Sequence, residues 1–468
     1  MKKGELIEIL IIDLNSSGVG LGRTLENFVI FVPKTLPGDL VTAKISKVKS
    51  NYAEAKLIDI ITPSPSRIEP YCMHFGVCGG CKIQNFNYIN QLKFKENVVN
   101  DAIIKIGEFP FIPDNECLKS PQTFFYRNKM EFSFSDDLWL DDPDNSPENK
   151  FALGLHVPGF HSKIVNIKFC YLQSELSNKI LNLTRDFFEE RNISIYSTKT
   201  HSGYLRFLII RQSVKNNELM VNLITSEFDE NLINEYKDTL LFYIPEITTF
   251  INSISTKKAQ IAVSEKEHIL FGDGTITESL TTASGKTINY NISPNSFFQT
   301  NTNQAENLYK IAADFLDFDS SDNVLDLYCG AGAISLFISD YVNKVTGVEL
   351  VDSAINDAFM NAENNGIKNC NFIKSDIKDF LLSEKINDYN KIILDPPRAG
   401  LHPEICSILS ETKIQKIVYI SCNPSTQARD LKIICEKGNY RLGRVQPVDM
   451  FPHTYHVENV VELLPCQN

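Results

Sequence analysis

The sequence predicts a multidomain α/β protein, on three observations. From residue 323 onward short apolar runs alternate with amphipathic stretches, the pattern of a doubly wound parallel sheet. Residues 1–62 instead hold short alternating runs broken by glycine and proline, the pattern of a small β-barrel. Between the two lies a cysteine-rich segment followed by mixed strands and helices, so an α+β domain is expected at 63–290 and the doubly wound domain at 291–468.

Composition narrows the setting. Apolar residues at 43% and charged residues at 22% exclude a disordered chain, and no apolar run approaches the ~20 residues of a membrane span. The opening Met1-Lys2-Lys3-Gly4-Glu5 leads into an apolar run interrupted by Glu8 and Asp13, so no secretion signal is read and a cytoplasmic location is expected. The eleven cysteines should then stay reduced. A net charge of −12 speaks against a nucleic-acid partner, yet residues 1–130 carry 16 Lys and Arg against 13 Asp and Glu. Phosphate affinity depends on where positive charge is placed, so a basic face in that third is compatible with the acidic total.

In chain order, Leu6 to Leu14, Asn27 to Val32, Leu40 to Val48 and Ala53 to Ile60 read as strands, with Gly18, Gly20, Gly22, Pro33, Pro37 and Gly38 marking turns. Small barrels of this kind often bind single-stranded nucleic acid. Pro63, Pro65 and Pro70 lead into Cys72-x5-Cys78-x2-Cys81. Thiols at that spacing, with Gly76, Gly79 and Gly80 between them, suit a chain wrapped closely round a metal centre. Zinc and an iron–sulfur cluster both take four soft ligands, and both stay open here. Tyr88, Leu92, Val98, Val99 and Ile103 then stand at helical spacing within 86–107.

The stretch from Asn323 reads as strand, glycine turn and helix. A dinucleotide fingerprint wants a third glycine where this chain has Ser335, and Asp326 at the strand's end would repel a pyrophosphate. An acid there suits a cofactor carrying an amino group and a sulfonium. Glu349 ends the next strand, placed for ribose hydroxyls, and Asp376 ends the third. This spacing favours S-adenosylmethionine over NAD.

Asp395-Pro396-Pro397-Arg398 closes the fourth strand with a stiff loop. Many amino-group methyltransferases set an aromatic after such prolines to stack the target base. Here that place is taken by Arg398, and the fifth strand, Ile417 to Ile420, delivers Cys422 to the same edge. Methylation on nitrogen needs no covalent nucleophile, whereas a weakly nucleophilic ring carbon does, and a thiol is the strongest side-chain nucleophile near neutral pH. An ordinary thiol is only a few per cent ionised there, so a local lowering of the Cys422 pKa is expected. The competing reading is an inert buried cysteine.

Taken end to end, the chain resembles the RNA uracil-5-methyltransferase family, which makes 5-methyluridine in ribosomal or transfer RNA. The motifs that carry the resemblance are V-P-K-T-L-P-G-D in the barrel, C-M-H-F-G-V-C-G-G-C, Y-R-N-K at 126–129, S-F-F-Q-T-N at 296–301, D-L-Y-C-G-A-G, D-P-P-R-A-G-L at 395–401, S-C-N-P and D-M-F-P-H-T-Y-H-V-E-N-V. It implies a Rossmann-like methyltransferase domain that uses S-adenosylmethionine, a TRAM-type barrel, and a central domain with a 4Fe–4S cluster. Cys72, Cys78, Cys81 and Cys170 are the implied ligands; spacing alone does not choose Cys170 over Cys117.

The same resemblance implies cofactor contacts from Gln299, Tyr328, Glu349, Asp376 and Asp395, and RNA contacts from Arg127 and Lys129. Cys422 becomes the nucleophile on carbon 6 of uracil and Glu458 the base for the carbon 5 proton. The target nucleotide must be flipped out or unpaired, and Phe297 and Phe298 are candidates to stack on bases or fill the gap, with core packing the alternative for one of them. The cluster-bearing branch points to 23S ribosomal RNA, with transfer RNA the alternative; a monomer without a membrane partner is expected. Two other classes compete: a non-catalytic RNA-binding protein on a relic domain, and a redox protein built on the cysteines, for which the chain shows no second cofactor.

Overall fold

The computed structural model describes residues 1–110, 116–140, 150–160, 162–382 and 385–466. Its first strands, Leu6–Leu14, Gly20–Arg23, Val29–Val32, Leu40–Val48 and Tyr52–Thr62, close into a barrel in which the fifth strand lies between the third and the fourth. Alternation builds its core, with Ile9, Ile11, Ile30, Val32, Val41 and Ile45 packed inside. The strand Gly20–Arg23 corrects the reading of Gly20 and Gly22 as turn residues. A Cβ at Gly20 would stand 1.9 Å from Thr35 Oγ1, and one at Gly22 2.6 Å from the Ile9 side chain. These glycines admit close packing across the barrel rather than turning the chain.

The barrel is seated through Leu14 and Leu36 on Ile83, Phe86 and Phe94. Phe94 lies on the helix Tyr88–Asp101, capped by the Asn87 side chain and continued as a π-helical turn to Ile106, much as the spacing over 86–107 predicts. The central sheet has seven strands in the order Lys266–Phe271, Thr249–Ile254, Leu219–Thr225, Leu205–Gln212, Lys129–Ser135, Ala152–His156, Ile164–Asn166. Helices Glu175–Glu190 and Glu230–Tyr243 share its apolar core through Ile180, Phe188, Ile233 and Tyr236.

The carboxy-terminal sheet is also seven-stranded, in the order Cys370–Lys374, Lys344–Glu349, Asn323–Leu327, Lys391–Leu394, Lys416–Ser421, Glu458–Pro465, Tyr440–Val448. The first five run parallel, as the alternation of strands and helices predicts, and Glu458–Pro465 pairs antiparallel with both its neighbours, Lys416–Ser421 and Tyr440–Val448. The order reverses beside Asn323–Leu327, the kind of switch point at which open α/β sheets hold ligands. Because Glu458–Pro465 is antiparallel to Lys416–Ser421, its first residue stands at the edge where the parallel strands end. Among the described residues no helix is long and apolar enough to cross a membrane.

Candidate active site

Each parallel strand delivers an acid or a thiol to one edge of the carboxy-terminal sheet. Asp326 lies within the first, Tyr328 follows it, Glu349 ends the second, Asp376 follows the third, Asp395 the fourth and Cys422 the fifth. Ser421 pairs with Asn459, which sets Glu458 beside Cys422. The structure thus brings Cys422, Glu458 and Asp395 together, with Arg398 near enough to act on both Cys422 and Glu458.

The loop after Asn323–Leu327 is tightly specified. Tyr328 takes a left-handed backbone, φ 67°, while its N–H donates to the Val348 carbonyl at 3.0 Å. Glu349 accepts from the N–H groups of Gly330 at 3.3 Å, Leu350 at 2.8 Å and Val351 at 3.0 Å. Ser335 fills the place of a third glycine for a reason: its hydroxyl donates to Asp326 Oδ2 at 2.5 Å. Asp326 Oδ1 is buried with no partner. Asp376, by contrast, is exposed and caps the helix Ile377–Leu382, accepting from Lys378 N–H at 2.8 Å.

Gln299 lies outside this sheet, in the loop before the helix Thr302–Leu316, and is buried there. The central sheet holds that loop. Asn128 donates through Nδ2 to the Gln299 carbonyl and to Thr302 Oγ1, both at 2.9 Å, and the fully buried Arg211 donates to the Ser296 carbonyl at 2.5 Å. Of the two neighbouring aromatics, Phe298 is 5% exposed and belongs to the core, while Phe297 is 74% exposed. Asn128 sits inside the Y-R-N-K motif between charged neighbours, and nothing in the sequence marks Arg211.

Burial and mutual repulsion shift the acids at this edge toward their neutral forms. Burial, and then the Asp326 charge, push Asp395 up to about 7; burial pushes Asp326 to about 7 as well, against the Ser335 hydroxyl. Burial and Asp395 lift Glu458 to about 8, opposed by Arg398. Cys422 is half-buried, and its thiol is pushed up to about 11 by burial first and by Glu458 next. The expected lowering is therefore not present in the protein alone: two carboxyls outweigh the one guanidinium, Arg398, that favours the thiolate. A positively charged ligand among these acids would relieve each of them, and the orphaned Asp326 Oδ1 offers a buried acceptor.

Arg398 is itself held in place. Its carbonyl accepts from Asn423 Nδ2 at 3.1 Å and Thr426 Oγ1 at 3.2 Å, tying the loop after Asp395 to the helix Pro424–Cys435. Glu458 is held from behind. The preceding loop starts at Asp449, which is fully buried against the fully buried Lys95 and accepts from Tyr88 Oη at 2.8 Å. Lys95 also donates to the Phe451 carbonyl at 2.9 Å.

Cys72, Cys78, Cys81 and Cys170 all line one cavity of about 600 Å³, with Arg127, Lys129 and Arg211 on its wall. Lys129 pairs with Glu131. Gly80 N–H points at Cys78 Sγ at 3.3 Å, Gln84 Nε2 at Cys81 Sγ at 3.7 Å, and backbone N–H groups of His74 and Leu172 at the sulfurs of Cys72 and Cys170. Cys117 is buried elsewhere, among Val99, Ile103 and Leu325. Among the described residues no three His, Cys, Asp or Glu side chains stand close enough to hold a single metal ion.

Known proteins resemble this chain along its whole length. The family model described as tRNA (uracil-5-)-methyltransferase matches residues 209–465, and the TRAM domain model matches residues 1–58. An uncharacterized RNA methyltransferase of Chlorobaculum tepidum is 42% identical over 98% of this chain and 96% of its own, and one of Bacteroides thetaiotaomicron is 41% identical over 94% and 97%. The crystal structure of Pyrococcus abyssi tRNA (uracil-54, C5)-methyltransferase in complex with S-adenosyl-L-homocysteine superposes with a TM-score of 0.77 at 28% identity, covering 98% of this chain and 100% of that one.

Proposed function

Since the chain belongs to the RNA uracil-5-methyltransferase family, we propose that it methylates carbon 5 of a uridine in RNA through a covalent bond to Cys422, with Glu458 as the base. The observation that carries this reading is the convergence of Cys422, Glu458, Asp395 and Arg398 at one sheet edge.

S-adenosylmethionine, when bound, supplies a methyl group on a sulfonium. Asp326, Glu349 and Asp395 fit its cationic and hydroxyl groups by charge and position, with Gln299 and Tyr328 closing the site and Asp376 at its rim. Cys422 Sγ forms a bond to carbon 6 of the flipped uracil, so that the ring's electrons make carbon 5 nucleophilic. After methylation Glu458 takes the carbon 5 proton and the electrons of that C–H bond re-form the ring double bond, expelling Cys422. Arg398 favours the thiolate throughout. A cation in the site would also draw Glu458 into its ionised, basic form.

The four cysteines fit a 4Fe–4S cluster better than a single ion. They share a cavity, no three of them stand close enough for a single ion, and N–H groups aim at their sulfurs as donors round a cluster do. Cys72, Cys78, Cys81 and Cys170 would hold it, in a structural role or in RNA contact rather than in electron transfer. The chain divides into domains at 62/63 and 290/291, works in the cytoplasm and acts as a monomer in this reading.

For the RNA, the cysteine set favours 23S ribosomal RNA. A second reading, transfer RNA, is favoured by the activity of the Pyrococcus abyssi neighbour. Incubating Glu458→Gln with each RNA and S-adenosylmethionine tests both points: a stalled protein–RNA adduct through Cys422 is expected with the true substrate, and clean turnover removes Glu458 from the base role.

A further inference from the structure

Five aromatic rings touch one another outside the carboxy-terminal sheet. Tyr71 meets Phe124 edge-on at 5.3 Å, Phe124 meets Tyr171 at 6.1 Å, and Tyr171 meets Phe169 at 4.8 Å and Phe125 at 6.2 Å. Rings in contact like this ordinarily close a core. Here Tyr71 is 71% exposed and Phe125 44%. Phe125 also takes a left-handed backbone, φ 55°, with its N–H donating to the Tyr171 carbonyl at 2.7 Å. A bulky side chain seldom adopts that conformation, and the burial it gains does not explain the strain.

Continuity and charge indicate what covers these rings. Phe124 lies over His453 at 4.5 Å with 30° between the planes, in the loop that runs on to Glu458, and Phe169 and Tyr171 share a cavity wall with Arg127. Lys82 is fastened to that loop, its N–H donating to the His453 carbonyl at 2.9 Å. At His456, in the same loop, burial and then the charges of Arg398, Lys95, Arg127 and Lys82 hold the imidazole down to about 4. In a chain of net charge −12, Arg127 on the wall shared with Phe169 and Tyr171 and Lys82 beside the His453 loop match a polyanion that carries π faces.

We propose that these five rings form the stacking platform for unpaired nucleotides next to the target uridine, with Arg127 and Lys82 meeting their phosphates. The inference rests on the RNA methyltransferase reading and deepens it: the substrate presents a single-stranded stretch, not a lone flipped base in an intact duplex. A protein partner would use the rings without needing the cations to face a phosphate backbone.

The test uses Tyr71→Ala, Phe125→Ala and the rescue variant Tyr71→Trp in the full chain. Binding to a short single-stranded uridine-containing RNA and to a duplex of the same length is followed by fluorescence anisotropy, and S-adenosylhomocysteine binding by calorimetry reports that each variant is folded. Each alanine variant is expected to bind the single strand at least about fivefold more weakly, with duplex binding and the salt slope unchanged and Tyr71→Trp restoring affinity. Alanine variants that bind the single strand as tightly as wild type, or that weaken both RNAs equally, overturn the platform. Wild-type protein that binds neither RNA overturns it too. Wild-type protein that binds the single strand with ring dependence, yet releases no tritium from carbon 5 of uridine, sinks the methylation reading and leaves the platform standing.

Discussion

Ser421 pairs with Asn459 across two antiparallel strands, and that one register puts Cys422 and Glu458 side by side at the ligand edge of the sheet. A slip of a single residue would turn Glu458 to the opposite face. Cys422 and Glu458, the proposed nucleophile and base, are thus fixed by backbone pairing rather than by a flexible loop, although they stand 36 residues apart in the sequence.

Removing Arg398 should weaken the nucleophile. Arg398 is the cation that counters burial and Glu458 at the Cys422 thiol. Arg398→Ala is expected to raise the Cys422 pKa above about 11 and to slow alkylation of the Cys422 peptide by iodoacetamide at mildly alkaline pH, as read by mass spectrometry. Unchanged alkylation would take Arg398 out of this role.

Folded-state pKa values of about 8 for Glu458 and about 7 for Asp395 lie above the ordinary 4.5 and 3.8. Carboxyls raised in this way bind protons more tightly folded than unfolded. Their contribution to stability is complete below the ordinary carboxylate range and is lost as pH climbs through the folded values. The ligand-free protein should therefore melt at progressively lower temperature from about pH 5 to about pH 8. S-adenosylmethionine, a sulfonium, should bind more tightly over the same window and release protons; S-adenosylhomocysteine, lacking that charge, should show less of both. Calorimetry in buffers of different ionisation heat measures the protons directly.

Asn128→Ala removes two hydrogen bonds that hold the Gln299 loop from the central sheet. At about 0.5–1.5 kcal/mol for each, the loss corresponds to roughly a fivefold to hundredfold weaker S-adenosylhomocysteine dissociation constant if all of it is expressed at the cofactor site. Affinity for RNA should hardly move. An unaltered cofactor constant would show that the loop keeps its shape without Asn128.

Lys95→Met leaves Asp449 buried without its partner. Breaking a buried pair from one side costs about 3–5 kcal/mol, and the double variant Lys95→Met with Asp449→Asn should recover part of it. Thermal melts of the two variants decide the point.

The sequence exposes what local pattern controls. Alternation in residues 1–62 marks the barrel, and strand ends mark the acids at the proposed cofactor edge, because both depend on near neighbours. Gly20 and Gly22 mislead because a glycine that admits Thr35 or Ile9 across the barrel looks the same, in one dimension, as a glycine that turns. Cys170 is separated from Cys117 only by the fold, which sets Cys170 on the cavity wall with Cys72, Cys78 and Cys81 and packs Cys117 in a core. The raised Cys422 thiol was invisible for the same reason: Asp395 and Glu458 reach it through topology, 27 residues before it and 36 after. Gln299 is legible only through resemblance, since its place is set by Asn128 and Arg211 from another sheet.

Attack at carbon 5 of uracil through a covalent bond to Cys422 is decided by tritium release. With RNA whose uridines carry tritium at carbon 5, wild-type protein and S-adenosylmethionine should release one tritium for each methyl group transferred, and Cys422→Ala should release none. Methyl transfer without tritium release, or release that survives Cys422→Ala, would rule out this mechanism.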